Sequence, residues 1–306
     1  MATPTQRDSH IDRAATNISI AYRNNAYIAE EVFPLVPVDK QSDVYFVFDK
    51  ASWFRNRSGP RAPGTRAPRA DYELSSSPYL CVNDSLAKEI PDEVRNNSDA
   101  PLRPDITAAE FVTDGLLLGL EKRVADLVTA CANWASSSNP GTLWSTTTSD
   151  IWADIDTAVN AVVSLIGREP NVAIMGWPVW KAMRNHSDFI DRVKYTRQTG
   201  RVEPEDLRSW FGFEKVLIGK AVENTSLPGV AVSMSFIWGK HFWVGYVTNA
   251  PALEQPSAGY IFRWGNRTVE RFRMDQEHMD VLAAEWHTDE VITASDAGAI
   301  FATAVA

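Results

Sequence analysis

Residues 50–70 leave this 306-residue chain fewer folding options than any other stretch. Every charged side chain in the run is positive: Lys50, Arg55, Arg57, Arg61, Arg66 and Arg69. Gly59-Pro60, Pro63-Gly64 and Pro68 break any regular element there. The flanks are the opposite in character. Asp43-Val-Tyr-Phe-Val-Phe-Asp49 is β-branched and aromatic, and Asp71–Leu74 and Pro78–Val82 read as extended again. Strand, basic tip and returning strand make a long hairpin with little of its own to bury, and an isolated two-stranded ribbon is marginal in water. At about 3.3 Å per residue such a ribbon reaches tens of ångströms. The expectation is that something outside the subunit holds it. Three readings are open: guanidinium groups laid against a neighbour's carboxylates, an arm neutralising phosphates, or a solvated loop. Trp53 and Phe54 at the tip weigh against the last, since exposed aromatics of this size mark contact surfaces.

The chain as a whole is nevertheless acidic, with a net charge of −9, which argues against a dedicated nucleic-acid binder. At 44% hydrophobic and 23% charged, it has the make-up of an ordinary globular protein rather than a disordered or fibrous one. Cys81 and Cys131 fit neither a metal spacing nor a disulfide framework, so a reducing compartment is expected. The first thirty residues hold no signal-peptide apolar run, and no stretch approaches the roughly twenty apolar residues of a membrane span. A soluble, intracellular chain is expected.

Along the chain, Ile11, Ile18, Ile20 and Tyr22 hint at local order, and Pro34 and Pro37 make Glu31–Val38 an extended strap. A helix is predicted over about 105–134. Thr107 and Glu110 have capping-box spacing, and Ile106, Ala109, Thr113, Leu116, Leu117, Leu120, Val124, Leu127, Val128 and Cys131 form its stripe. A second helix begins near Asp150 and stops at Gly167. Asn171–Met175 reads as a buried strand, Gly176-Trp-Pro178 as a helix start, and Glu203–Phe211 as a short helix. Strands are predicted at 213–222, 230–238, 241–248, 258–264, 267–273 and 281–293. Most of Trp177, Trp180, Trp210, Trp238, Trp243, Trp264 and Trp286 sit within apolar runs and are predicted for the core. Helices and strands mix without steady alternation, so the fold class is α+β.

Chemistry is sparse. His10, His186, His241, His278 and His287 fall in no metal-binding spacing, and no cysteine pair completes a zinc site. No nucleophile motif and no glycine-rich phosphate loop is present. Asp154 and Asp156, or Glu203, Glu205 and Asp206, read as solvated helix faces and helix N-termini rather than acid/base pairs. No catalytic, cofactor or metal residue is assigned, and none of these cofactors is expected.

Taken in order, these segments resemble the major capsid proteins of tailed bacteriophages, the Hong Kong 97-type shell fold. The likeness rests on the basic hairpin, the long helix near 105–134, and the run from Asn171-Val-Ala-Ile-Met-Gly-Trp-Pro through Trp180, Arg184-Asn-His186 and Lys194-Tyr-Thr196. It implies an N-terminal arm over 1–40, an extended loop over 41–76 and a peripheral domain over 77–153 carrying a spine helix. An axial domain over 154–255 and the rest of the peripheral domain over 256–306 complete it. It implies a structural protein that self-assembles through pentamers and hexamers into an icosahedral shell around double-stranded DNA, contacted non-specifically. Assembly in the host bacterial cytoplasm, location in the virion, and portal and scaffolding partners follow. Only about forty residues precede the hairpin, so the scaffold is expected to be a separate protein, or its segment already removed. Inter-subunit contact falls to Trp53, Phe54, Arg55, Arg57, Arg61, Arg66 and Arg69. Lys50 is the only lysine near the loop and Asn266 one of many partners, so covalent cross-linking is not expected. An encapsulin-like compartment shell, an unrecognised hydrolase and a DNA-binding accessory protein are the alternatives.

Overall fold

The computed structural model describes residues 27–48, 50–67, 69–97, 103–194, 201–249 and 255–306. Most of the expected arm, and Tyr195 and Thr196, lie outside the described residues. From the N-terminal side the chain forms α1 (Ala29–Val32), β1 (Leu35–Val38), β2 (Ser42–Phe48), α2 (Lys50–Trp53), β3 (Leu74–Leu80) and β4 (Val82–Pro91). Then come α3 (Asp92–Asn96), α4 (Pro104–Thr129), β5 (Ser136–Ser138), α5 (Ile151–Ile166), β6 (Val172–Gly176), α6 (Trp177–Arg184), α7 (Ser187–Val193) and α8 (Pro204–Phe211). β7 (Lys215–Gly219), β8 (Val222–Asn224), β9 (Met234–Phe236), β10 (Phe242–Gly245), β11 (Gly259–Met274), β12 (Met279–Ile292) and β13 (Gly298–Phe301) complete it.

Pro104 opens α4, because a first-turn proline gives up no hydrogen bond that the helix could have made. The capping box expected at Thr107 is not formed. The helix starts a turn earlier, with Arg103 at the cap and no side-chain bond to it. It also ends before 134: Ala130 turns extended, residues Cys131–Asn133 make a single 3₁₀ turn, and the Trp134 indole donates back to the Val128 carbonyl at 2.7 Å. The stripe buries Ala109, Val112, Leu116, Leu117, Leu120, Val124 and Val128 against a four-stranded sheet in the order β1-β11-β12-β4. Leu86 of β4 lies so close to Gly115 that a Cβ there would sit 2.4 Å from its Cδ2, so any other residue at 115 would make the Leu86 side chain shift.

The segments 258–264 and 267–273 are one strand, not two. β11 runs through a bulge between Trp264 and Thr268, where Gly265 takes φ +72°. β1, the parallel edge strand, places Pro37 where a missing N–H is tolerated. Trp264 remains 37% exposed on this sheet, with its ring edge-on to His287, so it is not a core residue as expected.

A second sheet runs β5-β13-β10-β6-β7. Residues 136–138 and 298–301 join it from stretches outside 154–255. Its core is aromatic: Trp144, Trp238, Trp243 and Phe242 are fully buried, with Trp134 against Trp243 at 5.2 Å and Trp144 edge-on to Phe242 at 5.0 Å. α5 covers it, capped by the Asp150 carboxylate accepting from Ala153 N–H and stopped by Gly167 at φ +68°. Of the strand expected at 230–238 only Met234–Phe236 forms, in a short hairpin with β8.

Glu121 ties these layers together. Its carboxylate, buried inside α4, accepts from Trp238 Nε1–H at 2.5 Å, Ala29 N–H at 2.7 Å and Ile28 N–H at 2.9 Å. Burial pushes the carboxyl above its ordinary range, against the three donors that hold it down. At the far end of the sheet, Arg95, Arg271 and Arg273 surround Asp280, with Asp92 and Asp105 alongside. Burial alone would raise Asp280; the three guanidinium groups outweigh it and hold the carboxyl at about 2.

Candidate inter-subunit site

β2 and β3 pair antiparallel from Ser42 opposite Leu80 to Phe48 opposite Leu74. Side chains alternate across such a ribbon, so the pairing sorts them onto two faces. Asp43, Tyr45 and Val47 share one face with Tyr79, Ser77 and Ser75; Val44 and Phe46 share the other with Leu80, Pro78, Ser76 and Leu74. The first face leans on the body. Tyr79 stacks on Phe262 at 4.7 Å and Tyr45 lies 5.7 Å from the same ring, within a cluster that includes Val36, Cys81 and Tyr260. Cys81 is the single residue between β3 and β4, fully buried, its thiol pushed up to about 11 chiefly by that burial. Gln41 closes the other joint by accepting Cys81 N–H at its carbonyl and donating its side-chain amide to Cys81 O. Leu80 N–H donates to the Asp289 carboxylate at 2.8 Å.

The outward face has no such cover. Val44 is 49%, Phe46 61%, Leu74 49% and Leu80 55% exposed. Four large apolar side chains on one face of a two-stranded ribbon form a patch that water disfavours. Sequence reading singled out the tip and missed this face. Both alternating sets, Val44/Phe46 and Tyr45/Val47, are apolar, so only the position of Phe262 shows which set is covered.

The tip is bare as well. From Phe54 to Glu73 every described residue is exposed. Thr65 closes a turn onto Ala62 O, with Gly64 at φ +81°, and the Arg57 guanidinium donates to the Asp71 carbonyl across the loop. Arg55, Arg61, Arg66 and Arg69 make no hydrogen bond or ion pair among the described residues. Trp53 is tilted against Tyr72 at 6.3 Å and Phe54 is 68% exposed. The candidate residues are therefore together at one end of the ribbon, presented to solvent. The contacts of the inner face with Phe262 and Asp289, and one more at the foot of the tip, depart from the expectation of a ribbon held only from outside. Lys50 Nζ reaches Asp296 Oδ2 of the same chain at 2.6 Å.

A Ser–His–Asp grouping also exists away from the ribbon. His186 Nε2 lies 3.2 Å from Ser149 Oγ, and its Nδ1 3.6 Å from Asp188. The wiring is that of a helix cap. Asp188 N–H donates to Nδ1, which puts the ring proton on Nε2 facing Ser149 and the Thr146 carbonyl, while Ser149 Oγ donates to that same carbonyl at 2.8 Å. A nitrogen that carries the proton cannot take one from serine. Among the described residues no three His, Cys, Asp or Glu side chains come together to hold a metal ion, and no helix is long and apolar enough to cross a membrane.

In sequence the chain is 25% identical over 297 residues to the major capsid protein of Burkholderia phage BcepMu, covering 94% of each. It is 26% identical over 306 residues to the major capsid protein of Pseudomonas phage JBD67, covering 97% of each. In structure it matches a phage-related protein of Bordetella bronchiseptica RB50 with a TM-score of 0.75 and 26% identity, over 97% of this chain and 98% of that one. This is a capsid shell protein of the Hong Kong 97-type fold. The capsid of cyanophage P-SCSP1u shares the architecture at a TM-score of 0.61 and 12% identity, covering 94% of this chain and 90% of that chain, a likeness of fold alone. No family model matches the chain. For a shell protein the site is an edge rather than a cleft, and the bare ribbon is one such edge among the described residues.

Proposed function

We propose that the chain is the major subunit of an icosahedral shell of pentamers and hexamers around phage double-stranded DNA, and that ribbon 42–80 reaches over an adjacent copy. The observation that carries this is the outward face of Val44, Phe46, Leu74 and Leu80 continuing into a tip where Arg55, Arg61, Arg66 and Arg69 make no ion pair among the described residues. An apolar face covers itself against protein, and guanidinium groups pair with carboxylates, which an acidic chain offers in excess. In this reading residues 1–40 are the arm and 41–76 the extended loop. The four-stranded sheet with α4 is the peripheral domain, drawn from 77–153 and 256–306. The five-stranded sheet is the axial domain of 154–255, extended by β5 and β13. The subunit works by its contacts and has no catalytic role. Scaffolding protein and portal are separate partners, DNA is contacted without sequence preference, and assembly takes place in the bacterial cytoplasm.

Each contact in a closed shell need be only micromolar to millimolar, about −8 to −4 kcal/mol, because many act together. The test is to replace Arg57, Arg61, Arg66 and Arg69 together with alanine. The expected result is a subunit with an unchanged melting temperature that no longer gives particles in negative-stain electron microscopy. Particle yields equal to wild type would overturn the role given to the tip.

A further inference from the structure

We propose that the groove between the C-terminal end of α5 and Asp296 is the docking site for the Lys50–Phe54 segment of a second copy of this chain. The inference rests on the shell reading above and names the surface on which the ribbon lands. Within one subunit the segment already lies against that groove. Lys50 Nζ meets Asp296 Oδ2 at 2.6 Å across 246 residues of sequence. Lys50, Ala51 and Phe54 line one side of a groove of about 400 Å³ whose other side is Val163, Ser164, Leu165 and Gly167. An ammonium faces a carboxylate, and an aromatic ring faces a partly aliphatic wall.

The fit within one copy is incomplete. Phe54 lines the groove and is nevertheless 68% exposed, so its ring stays largely outside the space it borders. The ion pair is itself open to water, with the side chains 43% and 30% exposed, and such pairs hold weakly. While the tip is parked here, Val44, Phe46, Leu74 and Leu80 remain bare. Contact between residues 50–54 and residues 163–167 and 296 is local, so it is the same contact whether the two segments belong to one chain or to two. Exchange of an identical element between protomers is a low-cost route to association. What changes is the ribbon: made between copies, the contact lays it across their boundary, where its outward face can be covered. Donor segment and acceptor groove are different surfaces of the chain. Passed on in one direction from copy to copy, the contact is head-to-tail, the kind that closes into rings.

A carbodiimide joins an amine to a carboxylate already in contact, without a spacer, and so reads this pair directly. Particles assembled from equal amounts of nitrogen-15-labelled and unlabelled subunits are treated, digested, and the peptides joining Lys50 to Asp296 are weighed. Linked peptides in which one partner is labelled and the other is not, near half of the total as random pairing requires, are expected from particles. Free subunits mixed in the same way should give uniformly labelled or uniformly unlabelled pairs alone. Particles that yield no mixed pairs, or no Lys50–Asp296 link at all, would overturn the proposal. Absence of particles in the electron microscope would instead defeat the shell reading, and the proposal with it, before any peptide is weighed.

Discussion

Serine in place of Phe46 should separate folding from assembly. Phe46 is 61% exposed and lies opposite Ser76, so its own subunit gains little from it. Substitutions at such surface positions usually stay within about 0.5 kcal/mol of wild-type stability. A phenylalanine side chain offers on the order of 200 Å². With 61% of it bare, roughly 120 Å² is available to a neighbour, worth ~3 kcal/mol at about 25 cal/mol per Å². Serine forfeits most of that. Against a contact of about −4 to −8 kcal/mol, a loss of ~3 kcal/mol weakens each contact about 150-fold. The assay is the subunit concentration at which particles first appear by light scattering and electron microscopy, run beside urea unfolding of the free subunit. An unchanged unfolding midpoint with a threshold raised at least tenfold is expected, the full contact loss being an upper bound. Assembly at the wild-type threshold would refute the claim that a neighbour covers this face. A large fall in subunit stability would show instead that Phe46 works at home.

Other expectations concern the subunit itself. Glu121→Ala strands three buried N–H donors, so at about 1–3 kcal/mol each a loss of about 3–9 kcal/mol in urea unfolding is expected, with Glu121→Gln losing less because it keeps an acceptor. Equal stability for both variants would show that the carboxylate is not the joint. Asp280 has a folded-state pKa held at about 2, below its ordinary 3.8. Its stabilisation is therefore full above that ordinary value and is lost as pH falls through 3.8 toward 2, a change of up to about 2 kcal/mol. Asp280→Asn should flatten that part of the acid unfolding curve, measured by circular dichroism; an identical acid limb in the variant would remove Asp280 from the account.

Much of the architecture could be read from residue types because the relevant signals are local. The basic, proline-broken tip between two β-forming runs announced a ribbon, and Asp150 and Gly167 bracket α5 as their chemistry requires. β4 escaped notice because it is polar. Val82–Pro91 carries mainly Leu86 and Ile90 toward α4, and its strand character comes from pairing with β12 across the whole of Val82–Glu89 and beyond. The end of α4 was misplaced for the opposite reason, since Leu127 and Cys131 continue the apolar period past the point where Trp134 folds back onto it. Glu121 was not singled out in the sequence. Its place four residues after Leu117 and three before Val124 sets it within the stripe, a spacing that could have flagged it as buried. The ribbon's covered and uncovered faces were beyond local reading altogether, because the difference is made by Phe262, more than 180 residues away.

The Glu121 joint has a practical corollary. It grips the incoming chain by the main-chain N–H groups of Ile28 and Ala29, not by their side chains. Peptide amides are common to every residue but proline, so that clasp is indifferent to what is spliced upstream of it. A change of residue type ahead of residue 27 therefore leaves both of these donors in place.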